Sequence, residues 1–202
     1  MKFLCLILFL LPTVLVAKVV PERFVTALQR ALDADATWRM TRQLPTLDRP
    51  LLSTGSVSCW KEKGMIWKTL TPFDEEIRVT KTAITLLVDN EIEDVKPCDD
   101  MPYYEDICEA TDAFLQGDTD DFEDLFDWTW SETSDTGAWT MTLEVNRRQL
   151  RRLFKTITLS GNETLESVTF VSEDEKMGTS HLDFTETKDT RHALWNFENE
   201  TK

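Results

Sequence analysis

Two histidines, two tyrosines and six isolated glycines serve a chain of 202 residues, and 22 basic side chains face 37 acidic ones. Each shortage closes off a class of function. His181 and His192 have no metal-binding spacing, so a zinc site is not expected. The scattered glycines offer no phosphate-cradling loop, no dinucleotide fingerprint and no nucleophile elbow. Carboxylates are so numerous that no pair stands out as acid and base, and none of them follows the calcium-loop spacing with its central glycine. A surface with a formal net charge of -15 is expected to repel phosphate backbones and anionic head groups and to lack a basic stripe, which disfavours nucleic acid. A neutral, apolar or cationic partner is left. Nothing here argues for an enzyme, and no cofactor or metal is expected.

Long apolar runs are missing too, except at the start. Residues 3–17 are apolar but for Pro12 and Thr13 and follow Lys2, the pattern of a secretory signal peptide over 1–17 with cleavage after Ala17, an uncleaved anchor being the alternative. The run is shorter than the ~20 residues of a spanning helix, so the exported remainder is expected to be soluble. Export places Cys59, Cys98 and Cys108 where disulfides persist. The short loop between Cys98 and Cys108 favours that pair, at somewhat less than ~3 kcal/mol; Cys59 with Cys98 remains open.

In residues 19–36, Val20, Phe24, Ala27, Leu28, Ala31 and Leu32 fall on one stripe at helical spacing, with Pro21 in the first turn, predicting an amphipathic helix of about four turns. From Thr37 the period becomes two. Trp38, Met40 and Leu44 alternate with polar residues, as do Val57 and Cys59, Met65 and Trp67, Ile77 and Val79, and Ile84, Leu86 and Val88, a meander of antiparallel strands with one apolar face. Two helical stretches around Gly117 follow, one through Tyr104, Ile107, Cys108, Phe114 and Leu115, the other through Phe122, Leu125, Phe126 and Trp128. Strands resume with Trp139, Met141, Leu143 and Val145, with Ile157 and Leu159, with Val168 and Phe170, and with Leu182 and Phe184. About nine strands are expected, in one domain over 18–190, with a loosely held tail over 191–202. So wide a one-sided sheet curls, and helices must cover its concave face.

The order of these pieces, with "GMIWKTLTP", "EEIRVT", the helical insert and "WTMTLEV" running on to "GTSHLDF", resembles the LolA family of periplasmic lipoprotein carriers, over roughly residues 20–187. "FLQGDTDDFEDLFD" is similar to the small LolA-like carriers that accompany RND-type lipid exporters. The resemblance implies a mainly β fold with helices, an incomplete antiparallel barrel whose apolar hollow holds acyl chains in the periplasm. It implies a cavity at Trp38, Met40, Met65, Trp67, Leu86, Val88, Trp139, Met141 and Phe170, under lid helices carrying Phe24, Leu28, Leu32, Phe114 and Leu125. The implied partners are an acylated lipoprotein or lipid, an inner-membrane exporter and an outer-membrane acceptor, with the carrier a monomer. The family's gating arginine has no counterpart in "CWKEKGMIW", which offers Glu62 or Lys63. A lipid-sensing module on the same scaffold is the alternative. An esterase would need Ser180 or His181, which have no nucleophile–base spacing.

Overall fold

The first helix forms where its stripe demands it. α1 (Glu22–Leu32) buries Phe24, Ala27 and Leu28, the i, i+3, i+4 spacing of one helical face, and is three turns long rather than four. The computed structural model describes residues 19–186 except 33, 34 and 118. The expected signal peptide, the tail and His192 lie outside the described residues.

A meander follows: β1 (Ala36–Gln43), β2 (Leu51–Trp60), β3 (Gly64–Thr71), β4 (Glu75–Val79), β5 (Ala83–Val88) and β6 (Glu91–Pro97). The helical insert is α2 (Pro102–Gln116) and α3 (Thr119–Leu125). Pro102 occupies the first helical position, where its missing N–H costs nothing. Gly117 ends α2 in the left-handed conformation at φ 66°, its N–H donating to the carbonyls of Ala113 and Phe114, a turn that favours glycine. The chain then returns through β7 (Phe126–Glu132), β8 (Trp139–Val145), the single-turn α4 (Arg148–Arg151), β9 (Thr156–Gly161), β10 (Leu165–Val171) and β11 (Thr179–Glu186).

All eleven strands join one sheet in the order β6-β5-β4-β3-β2-β1-β11-β10-β9-β8-β7, and every described pairing is antiparallel, including the β1–β11 pair at its centre, which runs from Ala36↔Glu186 to Gln43↔Thr179. The edges β6 and β7 do not meet, so the barrel stays incomplete. The insert α2–α3 carries the chain from one edge to the other. A disulfide between Cys98, just past β6, and Cys108, on α2, ties the lid helix to that edge.

Three expectations need correction. The described residues hold eleven strands rather than about nine, because β6 and β7 are strands. Phe126 and Trp128 lie on β7, where they alternate with Asp127 and Thr129. The sheet is not strictly one-sided, for Ser58, Ile66 and Leu87 are buried on the face opposite Met65 and Trp67.

Candidate functional site

The space between sheet and helices is unevenly filled. Toward β7 and β8 it is packed solid. Met141 and Leu143 are fully buried, and Trp139 meets Phe24 edge-on at 5.9 Å while stacking on Trp130 at 5.4 Å. The Trp139 indole N–H donates to the Asn162 carbonyl at 2.7 Å, which satisfies its one polar atom. Phe24, Phe114, Phe122, Phe126 and Leu125 interlock with them.

Toward the middle of the sheet the packing opens into a cavity of about 570 Å³, inside the range of small-molecule sites. α1 contributes Leu28, Ala31 and Leu32; α2 contributes Ile107, Ala110, Thr111, Phe114 and Leu115. The sheet supplies Ala36, Val57, Cys59, Met65 and Trp67 from one half, and Ile157, Leu159, Val168, Phe170 and Phe184 from the other. Strands from both halves of the sheet therefore face one hollow. Leu150 and Phe154, on and just after α4, complete a wall with Phe126 and Val145. Apart from Thr111, Thr164, Glu166 and Thr185, the lining is apolar.

The residues named from the sequence divide into four groups. Met65, Trp67 and Phe170 line the cavity, as do Leu28, Leu32 and Phe114 from the helices. Trp139, Met141, Phe24 and Leu125 are buried in the packed core beside it. Trp38 is buried behind Trp67, stacked on it at 4.6 Å with its indole N–H donating to the Ser56 carbonyl at 3.1 Å. Met40, Leu86 and Val88 are half-buried and do not line it. Leu86 and Val88 pair with Ile77 and Glu75 on β4, whereas it is Ile84 of β5 that packs with Ile107 of α2 against the Cys98–Cys108 cluster.

Sequence reasoning missed the other wall. Leu150, Phe154 and Phe126 are apolar positions near chain reversals, where neither period persists long enough to assign a face. Cys59 lines the cavity, is half-buried and is not in a disulfide. Burial pushes its thiol up to about 12, and the charge of Asp35 adds to the effect, so it is protonated and inert at neutral pH.

Chemistry is sparse on the rest of the surface. Among the described residues no group of three or more metal-binding side chains gathers, and no helix is long and apolar enough to cross a membrane. His181 bonds Thr169 at 2.7 Å and Asp183 at 3.1 Å. These are neighbours across and along the exposed face of β10 and β11, away from the cavity.

No protein-family model matches the chain, and no curated protein does. Solved structures with a similar backbone include a LolA superfamily protein from Nitrosomonas europaea, at 10% identity over 86% of this chain and 95% of that one, with a TM-score of 0.43. LprF from Mycobacterium bovis is similar at 10% identity over 88% and 98%, with a TM-score of 0.39. A chain of the Pseudomonas aeruginosa MucA/MucB complex is similar at 12% identity over 81% of this chain but 53% of that one, with a TM-score of 0.36. Likenesses this distant carry no weight for function. The strand order itself gives the incomplete antiparallel barrel that the resemblance to the LolA family implies.

Proposed function

We propose that the protein is an exported, single-domain carrier that holds the acyl chains of a lipid or lipoprotein in this cavity and moves them through the periplasm, from an inner-membrane exporter toward the outer membrane. The observation that supports this reading is the cavity itself: about 570 Å³ lined almost wholly by aliphatic and aromatic side chains, between an open sheet and a lid helix. An apolar space of that size costs stability when empty and gains it when filled by hydrocarbon. Ten buried methylenes contribute on the order of 8 kcal/mol. Association and ordering cost several kcal/mol, so ten methylenes alone leave about 4 kcal/mol, a millimolar and readily reversible affinity, and a longer or second acyl chain binds tighter. Met65 and Trp67 suit such a role, because methionine fills irregular space and tryptophan presents a large apolar face. No catalytic group is needed.

The test is to fill the cavity from within. Ala110 and Ala31 both line it and are half-buried, so Ala110→Trp and Ala31→Trp place a large ring in empty space without removing a contact. Both variants should fold and lose binding of a fluorescent fatty-acyl probe at least about tenfold. Unchanged affinity in two folded variants would contradict the carrier reading.

A further inference from the structure

Cations are unevenly placed along this chain. Residues 97–146 hold no lysine or arginine, nor do 156–175, yet Arg147, Arg148, Arg151, Arg152 and Lys155 fall in the nine residues between them. The sequence expectation of a surface without a basic cluster is therefore corrected. All five are exposed. Among the described residues only Arg147 has an ion pair, with Glu109 of α2 at 3.8 Å. That pair bridges α2 and the segment around α4, so the cluster sits against the edge of the lid.

An exposed basic cluster alone would be a solvated surface. What sets this one apart is the inner side of the same segment. Leu150 and Phe154 are cavity walls, flanked by the lining residues Val145 and Ile157. Over thirteen residues, apolar side chains turned into the cavity are thus interleaved with cations turned out to water. The far end of the cavity has the opposite character. There β10 begins, and Thr164, Glu166 and Thr185 line it. At that end Glu163 and Glu166 outnumber the nearby Arg30, which is paired with Glu163 at 3.7 Å, so an anionic group is better held at the Arg148 end.

We propose that the cavity takes an anionic amphiphile, with its hydrocarbon tail under α2 and its carboxylate or phosphate head on Arg148, Arg151, Arg152 and Lys155. This rests on the acyl-carrier reading and adds the class and orientation of the ligand. Guanidinium groups suit the task, since their planar donors engage carboxylate or phosphate oxygens two at a time. The chain's formal charge of -15 makes the local cations necessary. Within a Debye length of about 8–10 Å the nearest charges dominate, so a net-acidic protein can still bind an anion at this one place.

The experiment uses the delipidated protein and two soluble lysolipids with the same acyl chain, one with an anionic glycerol-phosphate head and one, a monoacylglycerol, with an uncharged glycerol head. Each is titrated by displacement of a fluorescent acyl probe. The anionic lysolipid should bind about tenfold tighter at low salt, and the gap should narrow as ionic strength rises. Joint replacement Arg148→Gln, Arg151→Gln and Arg152→Gln should abolish the preference, with the uncharged lysolipid binding as before; the corresponding lysine substitutions should retain most of it. Equal binding of the two lysolipids, or equal weakening of both in the glutamine variant, would overturn this inference alone. If neither lysolipid binds, the carrier reading falls and this inference with it. Sedimentation with phosphatidylglycerol vesicles separates the other source of anionic head groups. A glutamine variant that loses the vesicles but keeps the lysolipid preference would make the cluster a membrane contact and overturn the proposal.

Discussion

Replacing Cys98 and Cys108 together by alanine removes the one covalent tie between the lid and the sheet seen among the described residues. The two cysteines are ten residues apart, and closing a loop of that length stabilises the folded state by ~2.7 kcal/mol on the chain-entropy estimate. Both are buried, in a small cluster with Val79 and with Met65, Ile84 and Ile107 against it, so the lost sulfurs add up to about 1 kcal/mol of packing. For a chain of this size, 2.7 to 3.7 kcal/mol corresponds to roughly 5–15 °C in Tm. Urea unfolding followed by tryptophan fluorescence should show a midpoint lowered by about 1 M or more, with little change in slope. Amide exchange should rise first in α2, whose N-terminal half is held at Cys108, while β8 and β9, in the packed core, stay protected. A midpoint within about 0.3 M of the parent would refute the reasoning, and would mean that packing alone holds α2 in place.

Three further outcomes follow from single positions. A Cβ at Gly55 would overlap the Lys68 carbonyl and the Trp38 indole, so Gly55→Ala should cost about 1–3 kcal/mol and alter the near-ultraviolet circular dichroism of the Trp38–Trp67 stack; an unchanged spectrum and midpoint would contradict that close approach. Because the Cys59 thiol is pushed up to about 12 from 9.0, the folded state holds a proton that the unfolded chain releases between those values. Stability should therefore fall as pH rises across that window, more steeply in the parent than in Cys59→Ala, and iodoacetamide should label Cys59 only slowly at pH 8; equal slopes or rapid labelling would count against it. Burial holds the Asp106 carboxyl above its usual range, against the opposing pull of Arg147 and with Glu105 adding to the rise. A raised carboxyl favours the folded state at low pH and costs stability once ionised, so Asp106→Asn should melt higher at pH 7 and lose that advantage below the carboxylate range.

Where one period holds without competition, strands can be read directly from the sequence. Trp139, Met141, Leu143 and Val145 alternate cleanly and form β8, and α1 follows its apolar stripe. β7 was misread because Phe126 satisfies two patterns at once: with Phe122 and Leu125 it continues a helical face, and with Trp128 and Trp130 it begins an alternation. The helix ends at Leu125, and the second pattern prevails. β6 carries Ile92 and Val95 on either side of Glu93 and Asp94, both exposed; an edge strand buries too little to leave a period. The cavity was harder to locate than the sheet. Alternation assigns Trp139 and Trp67 alike to a sheet face, but it cannot say whether the space opposite is filled. Phe24, backed by Phe122, fills it beside Trp139, whereas Trp67 faces a cavity lined in part by the small Ala31, Ala36 and Ala110. The difference lies in which helix residues face which strand, and that is set by tertiary packing.

Native mass spectrometry of the protein isolated from its own host, without delipidation and followed by extraction of any bound mass, tests the central claim most directly. The account predicts a discrete acyl-containing adduct that is absent from Ala110→Trp. A protein that arrives empty, and stays empty after incubation with an acyl-chain probe, would contradict it.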